Sequence, residues 1–267
     1  MEIRMSRIEG VIFDWAGTTV DFGCMAPVHA FRNAFLEKGI QLTDKEIREP
    51  MGKLKWDHIQ QLLSLPSVKE QWIAVHGQLP QEKEVEELYQ QFEHYLFKDL
   101  VKHSTLKPDT LETIERLRNA GINIGSTTGF TAPMMTIVAE TAKKEGYSPD
   151  FMATSEDVEG YGRPFPYMIH KTIQYFKNKS VDEIIKVGDT VSDIQEGKNA
   201  GVFTVGVIEG SSLMGLSYDA YQQIEMEEKD RLKQSVALRF QQAGADLCVN
   251  NLKELTEYIL CADKNPE

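Results

Sequence analysis

Short apolar runs alternate with amphipathic stretches along most of the chain, the pattern of βαβ units wound around a parallel sheet. The runs GVIFDW, INIGSTT, PDFMATS, IIKVGDT, VFTVGVI and ADLCVN predict six strands. Between them, PDTLETIERLRNAG predicts a helix with Asp109 and Glu112 as a capping pair, Leu111, Ile114 and Leu117 on one face, and Gly121 at its end. TAPMMTIVAETAKKEG predicts another, with Thr131 as N-cap and Gly146 as stop. One interval breaks the alternation. From about Phe22 to about Lys102 the period is helical throughout: Thr43 and Glu46 form a capping box, PVHAFRNAFLEKG puts Val28, Phe31 and Phe35 on one stripe, and EKEVEELYQQFEHYL continues the period. The expected fold class is therefore α/β, a Rossmann-like parallel-sheet core over 1–21 and 103–267, with an inserted all-helical domain over 22–102. The charged stretch from Tyr218 to Gln242 reads as a solvated helix face, and the tail CADKNPE as a frayed end.

Composition narrows the partners. A 267-residue chain with 41% hydrophobic residues has enough apolar material for a real core. Its formal net charge of -12 disfavours nucleic acid and anionic membrane as partners, so an anionic substrate would need locally placed positive charge. The three cysteines, Cys24, Cys248 and Cys261, are far apart and form no C-x-x-C pair, which suggests neither a disulfide framework nor a zinc site. The N-terminal apolar run is too short for a signal-peptide core, and no stretch approaches the roughly 18 apolar residues of a membrane span. A soluble, unprocessed protein of the reducing cytoplasm is the expectation.

The candidate chemistry sits at strand ends, where open parallel sheets bind ligands. Asp14 follows VIF, Thr127 and Thr128 follow INIGS, and Asp189, Thr190 and Asp193 follow IIKVG. Carboxylates converging with hydroxyls and no lysine among them would repel one another, which a hard divalent cation such as magnesium resolves. A metal is predicted at Asp14 and Asp189. Each aspartate taken alone reads more readily as an N-cap; FDWAGTT, GSTTG and GDTVSD in this order and spacing favour a site.

These motifs resemble the haloacid dehalogenase-like superfamily, whose phosphotransferases carry a nucleophilic aspartate after the first strand. A Ser or Thr follows the second strand, a Lys or Arg comes later, and an acidic G-D-x-x-x-D motif follows a further strand. Asp14, Thr128, Arg163 in GRPFP, and Asp189 with Asp193 match in order, and the helical insert matches a cap domain. Most members acting on phosphate esters have a second aspartate two residues after the nucleophile; here that position is Ala16. The chain is in this respect similar to the phosphonatase subfamily, in which the position is Ala and a lysine sits in the cap. EPMGKLKWDH resembles that cap motif, with Met51 and Gly52 in its PMG element, Lys55 as the lysine and His58 as its histidine.

The resemblance implies hydrolysis of the C–P bond of phosphonoacetaldehyde, with Asp14 and Lys55 catalytic, Mg2+ held by Asp14, the Ala16 carbonyl and Asp189, and a cytoplasmic homodimer. The residues support the chemistry on their own terms. Breaking a C–P bond leaves a carbanion, which an oxygen-directed acid at position 16 does not help and an imine on Lys55 does. Lys55 must then be partly neutral, with Lys53 and His58 as candidate influences on its pKa and, in a helix, Met51 and His58 flanking it. The plain reading of KLK is two solvated lysines. Thr128 and Arg163 would bind phosphoryl oxygens; Thr128 would also serve as a helix cap. Asp193 would support the metal or orient Asp189, His58 would orient Lys55 or a water, and Cys24 would either line the site or fill a small buried space. The lack of a hydroxyl excludes a hydrogen-bonding role for Phe130. Two alternatives stand beside this reading: a magnesium-dependent phosphatase or phosphomutase of a small phosphorylated metabolite, and a catalytically silent phosphate-binding protein. The apolar stripe of PVHAFRNAFLEKG fits a dimer contact or core packing equally.

Overall fold

The computed structural model describes residues 7–178 and 180–262. All six expected strands form: β1 (Gly10–Phe13), β2 (Asn123–Thr127), β3 (Phe151–Ala153), β4 (Ile184–Gly188), β5 (Phe203–Val207) and β6 (Leu247–Val249). They make one parallel sheet in the order β3-β2-β1-β4-β5-β6. The four inner strands are short and buried almost throughout, as expected of a sheet covered on both faces, while the edge strands β3 and β6 are partly exposed. The strand order reverses between β1 and β4, so the crevice for a ligand opens at the C-terminal ends of those two central strands.

After β1 the chain leaves the sheet for five helices: α1 (Met25–Glu37), α2 (Asp44–Arg48), α3 (Lys55–Ser64), α4 (Pro66–His76) and α5 (Glu82–Asp99). The Thr43–Glu46 capping box starts α2, and Val28, Phe31 and Phe35 of α1 are all fully buried. Phe31 stacks on Phe92 of α5, ring centroids 4.2 Å apart, so the stripe on α1 is spent inside the insert. The remaining helices are α6 (Thr110–Asn119), α7 (Ala132–Lys144), α8 (Tyr167–Phe176), α9 (Val191–Ala200), α10 (Tyr218–Gln223), α11 (Met226–Ala243) and α12 (Leu252–Ala262). Apart from Cys261 and Ala262, which end α12, the tail CADKNPE lies outside the described residues. Among the described residues no helix is long and apolar enough to cross a membrane.

Several local expectations are corrected. Asp109 occupies the N-cap of α6 in left-handed backbone (φ 66) and makes no side-chain cap bond, so the Asp109–Glu112 pair does not form. Leu111 is exposed, and the buried face of α6 is Thr110, Thr113, Ile114 and Leu117. Thr131 stands at the N-cap of α7 without using its hydroxyl. Thr128 is not that helix's cap either; its Oγ1 accepts from Phe130 N–H at 3.0 Å within the turn. Helix α3 starts at Lys55, so Met51 lies in the preceding turn rather than one helical turn away.

Candidate active site

The core side of the site follows from strand register. Phe13 pairs with Ser126 and Val187, which sets Asp14 level with Thr127 and Gly188 at the carboxyl edge of the sheet. Carboxylate oxygens of Asp14, Asp189 and Asp193 come within 4.8 Å of one another, and all three residues are buried. Asp189 accepts from Thr18 Oγ1 (2.9 Å) and Ser212 N–H (2.8 Å). Burial, followed by the charges of Asp14 and Asp193, still pushes its pKa well above the ordinary carboxylate range. The loop after β1 packs straight onto this carboxylate: Gly17 has φ +88, and a Cβ there would lie 2.2 Å from Asp189 Oδ2, so only glycine fits. A cluster of hard oxygen donors whose own neighbours leave one carboxylate under-compensated suits a divalent cation of the magnesium class.

Behind these acids lies a fully buried charge network that sequence reading missed. Arg163 donates to Asp14 Oδ1 (2.7 Å), Thr127 O (2.9 Å) and Glu196 Oε2 (3.0 Å), and pairs with Asp193 Oδ1 at 3.0 Å. Lys186, in the middle of β4, reaches Thr127 Oγ1 (2.8 Å), Asp193 Oδ1 (2.9 Å) and Glu196 Oε2 (3.2 Å). Neutralising lysines therefore do accompany the acids, contrary to the expectation that none would. Asp193 is turned toward Arg163 and Lys186, which, against the desolvation of its site, hold it below the usual carboxylate range. It also closes a capping box with Thr190 at the start of α9, as the cap reading of this aspartate has it. The available signal was a lysine inside the apolar run IIKVG, and an acid three residues after Asp193 on the same helix.

The insert supplies the opposite wall. Lys55 is only 5% exposed, with Nζ 5.2 Å from the centre of the Phe130 ring. Among the described residues no carboxylate lies within ion-pair distance of it. Burial lowers its pKa; Cys24 and Asp14 oppose the shift and Arg163 adds to it. Lys53, expected to contribute, is instead bound to Gln61 Oε1 at 2.7 Å. His58 is fully buried, its ring 3.9 Å from that of Phe31 and its Nε2 2.8 Å from Ile47 O. Burial and then the charge of Lys55 drive its pKa well down, so the influence runs from Lys55 to His58 rather than the reverse.

The two walls touch at glycines. Gly52 (φ +89) leaves no room for a side chain, since a Cβ would sit 2.3 Å from Thr190 Oγ1. A Cβ on Gly129 would sit 3.0 Å from Gly52 O. Ser192 Oγ donates to Met51 O at 3.4 Å. Of the residues expected at the site, Asp14, Ala16, Cys24, Met51, Gly52, Lys55, Thr128 and Arg163 line one pocket, together with Pro27, Gly129, Phe130 and Thr190. Asp189, Asp193 and His58 are not among its lining residues. Burial raises the Cys24 thiol well above its ordinary pKa, so it stands in the wall as a neutral thiol.

Residues 11–207 match the family model for haloacid dehalogenase-like hydrolases. A phosphonoacetaldehyde hydrolase of Bacillus cytotoxicus is 43% identical over 258 residues, covering 97% of both chains. A bifunctional phosphonoacetaldehyde hydrolase/aminoethylphosphonate transaminase of Clostridioides difficile is 43% identical over 97% of this chain, which spans 41% of that protein's length. The crystal structure of a phosphonoacetaldehyde hydrolase-like protein from Oleispira antarctica superimposes with a TM-score of 0.93 at 34% identity, over 97% of this chain and 94% of that one.

Proposed function

The chain belongs to the haloacid dehalogenase-like hydrolases and matches phosphonoacetaldehyde hydrolases over nearly its full length, and on that premise we propose that it hydrolyses the C–P bond of phosphonoacetaldehyde to acetaldehyde and phosphate. One observation carries this reading: a single pocket joins a strand-end carboxylate, followed two residues on by Ala16 rather than a second acid, to a buried lysine with no carboxylate in ion-pair distance among the described residues.

In this mechanism the lowered pKa of Lys55 supplies free amine, which adds to the substrate aldehyde and loses water to give a protonated imine. Arg163 holds Asp14 Oδ1, leaving Oδ2 to attack phosphorus in line. The C–P bond breaks as the O–P bond forms, and the departing pair moves into the imine to give an enamine on Lys55. Protonation at carbon and hydrolysis of the resulting imine release acetaldehyde and the lysine; water then cleaves the aspartyl-phosphate. A carboxylic acid at position 16 would have no leaving oxygen to protonate, and the methyl group leaves that space to the substrate.

Asp14, Asp189 and the Ala16 carbonyl would hold Mg2+, whose charge offsets the clustered carboxylates and the phosphoryl oxygens. Most of the N–H groups of Arg163 are committed to Asp14, Thr127, Asp193 and Glu196, so it acts on the phosphoryl group chiefly through its charge and its hold on Asp14. Thr128 borders the same cavity and would donate to a phosphoryl oxygen. His58 and Asp193 support Lys55 and Arg163 from behind. The same reading takes the molecule to be a cytoplasmic homodimer of core 1–21 with 103–267 and cap 22–102, which light scattering and separate expression of the cap would check.

The test is incubation with phosphonoacetaldehyde and magnesium. Equal release of phosphate and acetaldehyde, with borohydride fixing a two-carbon adduct on Lys55, is expected. Fast turnover of sugar phosphates without C–P cleavage would move the assignment to a phosphatase or phosphomutase.

A further inference from the structure

Lys107 lies just after the five-helix insert and outside every motif considered so far. It is 6% exposed, and its N–H and ammonium donate to two loops at the carboxyl edge of the sheet. Its backbone N–H donates to Thr19 O at 2.8 Å. Its Nζ donates to Gly17 O and, at 2.6 Å, to Glu209 O in the loop after β5. Thr110 Oγ1 adds a second bond to Thr19 O at 3.0 Å.

The loop so gripped is the one that carries the proposed metal ligands. Trp15 O already receives Thr18, Thr19 and Val20 N–H, and Gly17 N–H donates to Val20 O, so the turn is closed upon itself. Thr18 Oγ1 ties the loop to Asp189 and Thr19 Oγ1 ties it to Asp14 O; its outward carbonyls, those of Gly17 and Thr19, are both taken by Lys107. Gly17 follows Ala16 directly and, having no Cβ, lies against the Asp189 carboxylate. The path from the ammonium to the site is therefore one peptide unit long on one side and one van der Waals contact on the other.

We propose that Lys107 is a positioning residue of the metal site: by tying Gly17 O to the loop after β5, it sets where the Ala16 carbonyl and the Asp189 carboxylate meet the cation. This rests on the reading that Asp14, Ala16 and Asp189 bind magnesium. The charge of Lys107 and its grip predict opposite results. A positive charge beside Asp189 repels a cation, so removing the charge alone would tighten magnesium binding; removing the hydrogen bonds loosens the ligands and weakens it.

Lys107→Met keeps the length of the side chain and removes both charge and donors. Titration of the whole protein with magnesium alone, without substrate, followed by calorimetry, should show Kd raised roughly tenfold or more relative to the unsubstituted protein, the scale usual for groups that orient metal ligands. Unchanged or tighter binding overturns the proposal. Thr110→Val, which deletes one hydroxyl and leaves Lys107 in place, should weaken binding about threefold; it serves where Lys107→Met does not fold, and no effect there counts against the proposal equally. Absence of any magnesium isotherm in the unsubstituted protein would overturn the metal reading itself and this inference with it, whereas a normal isotherm unaffected by both substitutions would overturn this inference alone.

Discussion

The two walls of the cavity treat buried positive charge in opposite ways. On the core side, Arg163 and Lys186 are buried among Asp14, Asp193 and Glu196, and nearly every donor has an acceptor. On the insert side, Lys55 is almost as deeply buried but faces the Phe130 ring, Met51 and Cys24, with no carboxylate in contact. A paired buried cation keeps its charge, because losing the proton would strand its acids. An unpaired one pays desolvation without return and gives up its proton more readily. The same residue type is thus paired with acids in one wall and left unpaired in the other, where the proposed function makes Lys55 the nucleophile and the insert keeps it out of ion-pair distance of the acids among the described residues.

The strongest way to break this comparison is to restore permanent charge at the insert wall. Lys55→Arg cannot form the imine, so kcat should fall on the order of 10⁴-fold and the borohydride adduct should vanish; retention of activity would sink the role assigned to Lys55. Stability should separate the two lysines by sign. Lys186→Met removes one of the two buried cations paired with Asp193 and Glu196 and should cost about 3–5 kcal/mol in urea denaturation. Lys55→Met removes only an uncompensated amine and should stabilise by roughly 1 kcal/mol. If both destabilise alike, the walls are not built differently.

Next comes the seam. Gly52→Ala places a methyl group where Thr190 Oγ1 sits 2.3 Å away, so the walls must part; a displacement of about 1 Å should reduce kcat/KM about 10²-fold with little change in the melting temperature.

The smallest effect is in pH. Lys55 and His58 both have lowered pKa values in the fold, so between the folded and unfolded values the unfolded chain binds more protons and stability rises with pH. For His58 this means stability lost as pH falls below its ordinary value of 6.5, by up to about 1.4 kcal/mol per pH unit. His58→Gln should flatten that slope between pH 6.5 and 5. The catalytic rate should likewise rise with pH through the lowered pKa of Lys55, with its midpoint below the 10.5 of a free amine.

Much of this was legible in the chain. The six strands announce themselves as apolar runs because a sheet covered on both faces needs no polar alternation. Asp14, Thr128 and Asp189 are marked by standing directly after such runs, where the chain turns out of the sheet. The caps were read less well. Asp109 has the composition of a capping residue but adopts left-handed backbone, a choice made by the path of the incoming chain rather than by the side chain. His58 and Lys53 were expected to tune Lys55 because they are close in sequence. The groups that do tune it, Cys24, Asp14 and Arg163, are 31, 41 and 108 positions away and become neighbours only by folding.

What the sequence by itself determined is the architecture and the candidates for the reacting groups, because hydrophobic period and residue chemistry are local properties. The carboxylate at Asp14, the methyl at Ala16 and the amine at Lys55 are present whatever their surroundings. Only the tertiary structure decided their state. It gave Lys186, Glu196 and Lys107 their partners, and Phe130 its place over Lys55. It also let Gly52 and Gly129 bring the two walls into contact, because burial and charge pairing depend on distances between segments that are remote along the chain.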